Sequence, residues 1–517
     1  MKKCFKIMMG LVLAVSLLGF TACGSPEPPP PAAPAPAAAA PVFAPEDIVE
    51  IQMVFPISGR PVPPGIGDVF DAINEITGPL IGVHVNPNMI ESGVYTAQAS
   101  MMLVAREPID MILTMPFGAT SFSVAAPQGH FMPMNDLLPL YGQGIIDVLG
   151  PLLQGTVIDG NVYAVTGYRS LVQNVYVAMR IDILEELGLM EQAQSIRSVS
   201  DLDEIFQIVA DNTHLVPLVA NEVATVMSHP GIIFDDYFEN WRAFDNLGDT
   251  LHIIRVDDNG VISNHFASDT YRRSIEIVRD WYERGFVYRD LLIASESAQT
   301  YIRNDVGFAY FAVTEIGGDI SHSIIAGTPL LFVQVGPGPQ ITTGNTRAFT
   351  WAIPSASREP EGAMRFLDLM FTDARIANLL AYGIEGRDYV LLPNGLAAFP
   401  EGLDVTTVPY HHHDHMHGNQ FLKHPWYGTH PDLRSMAQAE MERIGASPFL
   451  GFSANTDDIQ LEIMAVQGVI DQFRRQIESG SASLYVYDEF VTRLEQVGAN
   501  TIVEEFQRQL DEWLANR

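Results

Sequence analysis

The spacing of apolar residues changes repeatedly along the chain, and each change predicts a switch between strand and helix. Residues 48–57 (IVEIQMVFPI) open with apolar and polar positions in turn, which predicts a strand ending at Ser58-Gly59. Residues 68–77 shift to helical spacing. Residues 82–85 and 109–114 return to strand character, and the second run leads into Met115-Pro116-Phe117-Gly118. Strand and helix in this alternation predict an α/β lobe with a mostly parallel sheet, whose ligands meet loops at the carboxyl ends of strands.

The middle of the chain repeats the pattern. Residues 162–167 and 172–179 read as strands, and 180–188 as a short helix stopped by Gly188, so the chain can pass into a second lobe between Tyr168 and Asn174. A helix over 201–211 is expected to be capped by Ser200, with a strand at 216–220. In 268–284, Tyr271, Ile275, Val278 and Trp281 mark the buried face of a helix that Gly285 ends. Further strands are expected at 306–313, 330–335 and 349–353. Pro360 suits the first position of a helix with Ala363, Phe366, Leu367 and Met370 on one face, and Thr372 is the expected cap of the next, which ends at Gly383. Ile459, Ile463, Val466, Ile470, Phe473 and Ile477 define an amphipathic helix near the end of the chain. Thr501-x-x-Glu504 reads as a capping box opening the last helix.

The first 45 residues follow a different logic. Lys2, Lys3 and Lys6 precede an apolar run over 7–20 that is too short to span a bilayer in the usual way, the form of a signal peptide. Phe20-Thr21-Ala22-Cys23-Gly24 resembles the processing site of a bacterial lipoprotein, with Phe20 where leucine is usual. That resemblance implies removal of 1–22 and a lipid on Cys23; an ordinary secretory leader would instead release the chain. Residues 26–45 are almost entirely Pro, Ala and Glu, an extended spacer able to reach about 60 Å. The two cysteines are Cys4 and Cys23, so the rest of the chain has no disulfide chemistry.

About 470 residues remain beyond this tether, enough for two or three cores. The net charge of −33, from 62 acidic and 29 basic residues, argues against nucleic acid or anionic lipid as a partner. Lys423 is the one lysine beyond Lys6. No G-x-S-x-G elbow, H-E-x-x-H helix or Walker loop is present. Neither a catalytic residue nor a cofactor is expected.

A family likeness lies in the second half. The segment SREPEGAMRFLDLM at 357–370, then Thr372-Asp373 and YGIEGRDY at 382–389, resembles the family 1 extracellular solute-binding proteins of ABC importers. More narrowly it resembles LipO-like lipoproteins. Gly418-Asn419-Gln420-Phe421, SPFLGF at 447–452 and QRQLDEW at 507–513 are similar to the domain of unknown function that closes those proteins. Glu359 departs from the pattern, which often has Asn or Lys before the proline. The resemblance implies a two-lobed, type II periplasmic-binding-protein-like α/β fold with crossings near 170, 310 and 350. It divides the chain into a leader (1–22), a tether (23–45), a first lobe (46–170 with 306–350), a second lobe (171–305 with 351–400) and a C-terminal region (401–517). It further implies a monomer on the outer face of a Gram-positive cytoplasmic membrane that captures a solute, an oligosaccharide by preference over a peptide, and passes it to an ABC permease. A sensor or adhesin, and a surface glycan hydrolase, are the alternatives.

Sugar rings present apolar faces to aromatic side chains while their hydroxyls need carboxylates and amides. Strand ends and crossings that offer such groups are Ser58, Phe117, Tyr168, Arg169, Asn221, Thr314, Glu315, Trp351 and Tyr389, with Trp241 beside them. Residues 411–430 also hold seven of the fourteen histidines. His411, His413, His415 and His417 are candidate metal ligands there, set against the plainer reading of a polar surface loop.

Overall fold

Val49–Ile57 (β1) is buried from Met53 to Ile57, on both faces, because helices cover each side of the sheet it enters. The structure is a computed structural model that describes residues 43–57, 61–220, 245–293, 296–335 and 340–517. Cys23, Ser58, Asn221 and Trp241, with the leader and most of the tether, lie outside the described residues.

After β1 come Ile66–Ile81 (α1), Val83–Glu91 (β2), Ser92–Val104 (α2) and Met111–Leu113 (β3). Gly82 stops α1 at φ 65°, in the left-handed region that glycine enters without cost. Val165–Thr166 (β4) leads to Asn174–Arg180 (β5), Val199–Asn212 (α3), Val216–Leu218 (β6) and Asp269–Glu283 (α4). Gly307–Thr314 (β7), Leu330–Gln334 (β8) and Thr350–Ala352 (β9) complete the labelled strands. The remaining long helices are Pro360–Thr372 (α5), Ala374–Tyr382 (α6), Leu433–Ile444 (α7), Gln460–Glu478 (α8), Leu484–Gln496 (α9) and Ala499–Ala515 (α10).

Two sheets organise these elements. The first runs β2-β1-β3-β9-β4, with β1 parallel to β2 and β3, and β9 antiparallel to β3 and β4. The second runs β8-β5-β7-β6, with β5 antiparallel to both neighbours and β7 parallel to β6. Both sheets are thus mixed, not mostly parallel as expected: the first has two parallel and two antiparallel pairings, the second one parallel and two antiparallel.

Sheet membership corrects the expected lobe boundaries. Residues 306–335 belong to the second sheet, because β7 and β8 flank β5; residues 350–352 return to the first sheet, and α5 and α6 pack on the first core. The expected crossing near 310 falls inside β7. The chain instead crosses at 167–173, at 335–349 and through α7, where Glu440 Oε1 accepts from Asn174 Nδ2 at 2.8 Å. The C-terminal region divides as well. Tyr410 and Met416 enter the first core, while Phe449, Val466, Phe473, Phe490, Phe506 and Leu510 join α3 and α4 in the second.

Local signals shift by one to three residues at several helix starts. Ser198, not Ser200, caps α3 through a capping box with Asp201, and Asp373, not Thr372, caps α6. Thr501 lies inside α10, which starts after Gly498. Asp110 explains where α5 begins: its Oδ1 accepts from Ser357 Oγ and from the amides of Arg358 and Glu359, while Oδ2 accepts from the Gln52 amide. One carboxylate so ties the start of β3 to the start of α5. Among the described residues no helix is long and apolar enough to cross a membrane.

Trp351 is wholly buried at the centre of the first core, with its Nε1 donating to the Met416 carbonyl at 3.0 Å and its ring beside Phe55 and His417. It is a packing residue, which corrects its expected place at a ligand surface. Trp351→Ala should lower the unfolding free energy by about 3–5 kcal/mol, read from urea denaturation; unchanged stability would contradict this placement.

A candidate binding site between the lobes

The carboxyl edge of the first sheet and one end of the second face each other where the chain crosses. Residues 411–426 fill the angle between them. This loop is fixed from within by Asp414, whose Oδ2 accepts from Arg434 Nη2 and, at 3.0 Å, from Gln420 Nε2. Lys423 lies beneath, almost fully buried, and its ammonium donates to the carbonyls of Asp414 and His417. Burial opposes ionisation of Asp414, but Arg434 and Lys423 outweigh it and hold the carboxyl well below its ordinary range. Burial lowers the Lys423 ammonium to about 7 against the attraction of Asp414.

Above this ion cluster is a cavity of about 180 Å³ lined by Glu315, Tyr382, His411, His412, His413, Asp414, Gln420, Trp426, Thr429, Leu433 and Arg434. Glu315 follows β7 and so comes from the second lobe, while Tyr382 ends α6 on the first. One wall is aromatic: the Trp426 ring stands 4.9 Å from Tyr382, 4.8 Å from His411 and 4.8 Å from Phe399. The rest of the lining is mostly polar. Burial raises the Glu315 carboxyl, with Arg434 the main opposing influence and Ser170 donating a hydrogen bond to it. Aromatic faces opposite carboxylates and amides can hold a polyhydroxylated ring by stacking and hydrogen bonds together.

Several predicted residues meet here. Glu315 lines the cavity, and Arg169 lies on the same crossing next to Ser170, with its guanidinium 5.6 Å from the Phe349 ring. Tyr168 packs edge-on to Phe421 at 4.8 Å and takes an amide bond from Gln420, which holds the crossing against the loop. Thr314 pairs with Asn174 at the end of β7. Phe117 projects from the loop after β3 and is 61% exposed. Tyr389 is only 5% exposed and packs behind Tyr382, so it supports the wall without presenting a surface, a correction to its expected role. Tyr382, Asp414, Gln420, Trp426 and Arg434 were not anticipated as wall residues.

The histidines separate into distinct settings. His411 stacks on Tyr382, His413 is exposed, and His415 lies against Phe349 at 5.2 Å. His412 and His417 are core residues. The Pro56 carbonyl can only accept, so His412 Nε2 carries the proton that binds it at 2.7 Å. His412 Nδ1 must then accept from His417 Nε2 at 2.9 Å, which leaves His417 Nδ1 bare and without a partner. Among the described residues no three His, Cys, Asp or Glu groups stand close enough to share a metal ion.

Residues 448–515 match the family described as a domain of unknown function, DUF3502. A protein named carbohydrate ABC transporter substrate-binding protein, from Streptococcus pneumoniae serotype 4 (strain ATCC BAA-334 / TIGR4), is 22% identical over 465 residues, 88% of this chain and 89% of that one. The crystal structure of N-glycan transport solute binding protein (NgtS) from S. pneumoniae superposes with a TM-score of 0.73 at 19% identity, covering 90% of this chain and 99% of that chain. The chain has the solute-binding-protein fold. Against NgtS in complex with Man1GlcNAc the score is 0.63, with the same identity and coverage.

The buried histidines make stability depend on acid. Burial pulls His412 down to about 3 and His415 to about 4, and holds His417 well below its ordinary value, with His412 and Lys423 adding repulsion there. Between these values and the unfolded value near 6.5 the unfolded chain binds more protons, so stability falls as pH drops through that window, by about 1.4 kcal/mol per pH unit for each histidine. The urea midpoint should therefore decrease from pH 7 to pH 5, and His417→Gln should flatten the slope. A midpoint constant over that range would contradict neutral burial.

Proposed function

We propose that the protein is the solute-receiving component of an ABC importer, taking an oligosaccharide into the cleft at Glu315, Tyr382, His411 and Trp426 and presenting it to a membrane permease. The observation that carries this reading is the cavity itself, lined by aromatic side chains of the first lobe and by a carboxylate from the second. A ligand that touches both sides favours the closed arrangement of the lobes, and binding then does the work of closure. The named binding partners of the relatives support a sugar over a peptide.

Trp426→Ala and Glu315→Gln should each weaken binding of a mannose-containing or other oligosaccharide at least about tenfold by isothermal titration, from lost stacking and a lost charged acceptor. Tyr427→Ala, an exposed neighbour outside the cavity, serves as the control. Equal losses in all three would remove this cavity as the site.

The position of Cys23 at the end of a short apolar leader supports attachment to the outer face of the cytoplasmic membrane through a lipid. Cys23→Ala should then move the protein from the membrane fraction to the medium. Mass spectrometry of the native protein that found an unmodified Cys23 would overturn the anchor, though not the binding reading.

A further inference from the structure

The cleft cavity is small for a site that takes an oligosaccharide. Its volume of about 180 Å³ is the room occupied by about six water molecules in the liquid. One sugar ring with its hydroxyl groups fills that space, and a second does not fit beside it; pockets that enclose larger ligands run from about 300 to about 1,000 Å³.

The lining cannot draw back to make more room. Tyr382 is 2% exposed, His412 1%, Gln420 7% and Leu433 3%, so these four close the cavity from the protein side. Three of them are tied to what stands behind. Tyr382 Oη donates to the His424 carbonyl at 2.8 Å and His412 Nε2 to the Pro56 carbonyl at 2.7 Å; Gln420 donates its amide to the Tyr168 carbonyl and accepts from the Ser170 amide at 3.2 Å. Close-packed side chains held in this way have no void to move into. Closure of the lobes brings Glu315 toward Tyr382 and Trp426, which takes volume away and adds none.

The hydrogen-bonding capacity of the lining is limited as well. Asp414 Oδ2 is engaged by Arg434, by Gln420 Nε2 and by Tyr382 Oη, and Thr429 Oγ1 donates to the Trp426 carbonyl. What is left to a solute is chiefly the aromatic side chains, the Glu315 carboxyl and the exposed His413, a set suited to one face and a few hydroxyls. We propose that this cavity reads a single ring of the solute, so that the matching free monosaccharide is itself a ligand and further rings add little affinity. The inference rests on the oligosaccharide reading above and narrows it from a chain to one unit of the chain.

The test uses the purified full chain and titration calorimetry with Man1GlcNAc, Man5GlcNAc and malto-, cello- and fructo-oligosaccharides, each beside its component monosaccharides. For every chain that binds, one component monosaccharide should displace it completely in competition, and longer members of a series should bind within about threefold of the shortest. Thr429→Phe, which fills the cavity from its own lining, should weaken the chain and the free monosaccharide by the same factor, at least about tenfold. Thr429→Leu, a smaller filling, covers the case in which the phenylalanine variant fails to fold. Affinity that rises at least about tenfold with added rings, or chains that no monosaccharide displaces, would overturn the single-ring cavity and leave the oligosaccharide reading standing. Chains that bind both Thr429 variants as tightly as the parent would overturn the assignment to this cavity, and failure of every oligosaccharide to bind would overturn the oligosaccharide reading itself.

Discussion

Asp414 is the constraint on which the cleft depends. Its carboxylate meets Arg434 from α7 on one side and lies over Lys423 on the other, so a loop of polar and aromatic residues is fixed between two lobes without help from regular structure. An ion cluster of this kind gains little over well-packed apolar residues once desolvation is counted, yet removing one member leaves the others as uncompensated buried charges. Its value here is positional. With Asp414 in place, Lys423 draws in the backbone at 414 and 417, His417 is pushed against Trp351, and His412 reaches the Pro56 carbonyl at the end of β1. The first core and the cleft wall are built by the same short segment.

The elements easiest to read from the sequence are those with one wet and one dry face. α4, α8 and the Pro360 start of α5 show their spacing plainly, because burial on a single side selects a single period. Helix α2 shows none: SGVYTAQASMMLV has no charged residue and small or apolar groups on all sides, so its buried Tyr95, Ala99 and Leu103 do not stand out. Lobe membership is harder still. β7 and β9 are similar apolar runs, and only long-range pairing decides that β7 joins β5 while β9 inserts beside β3. The caps are hard to place because α3 and α6 each offer two polar candidates within a residue or two of each other, and the choice between Ser198 and Ser200 is made by the reach of Asp201.

The site was legible where it lies on strand ends and crossings. Glu315 follows β7 at a sheet edge and lines the cavity, the position that the rule for loops at sheet edges selects, whereas Arg169, after β4, is not among the lining residues. Trp351 and Tyr389 satisfied the same rule and failed, since an aromatic side chain at a sheet edge packs inward as readily as outward. The wall formed by Tyr382, Trp426 and Arg434 could not be seen in advance. These residues come from the end of α6, a turn-rich loop and the start of α7, with no shared period, and the cluster at Asp414 alone brings them together. The one advance signal was compositional: a single lysine beyond Lys6, in a chain with 25 arginines, falls six residues after the last of the clustered histidines.

The three crossings explain how such a site can respond to a ligand. Residues 167–173 form an irregular crossing, whereas α7 is a helix that touches both sides: Arg434 holds Asp414, and Glu440 holds Asn174 at the first residue of β5. Held by side-chain pairs to both sides, α7 is the natural pivot for any rotation of the lobes. Glu315 follows Thr314, which pairs with Asn174 at that link. Small movements there produce large ones at the lobe edges, where the exposed Phe117 projects. A solute that draws Glu315 toward the aromatic wall acts on the short arm of the hinge, so its chemistry at a few polar groups near the pivot governs closure more than the area it covers farther out.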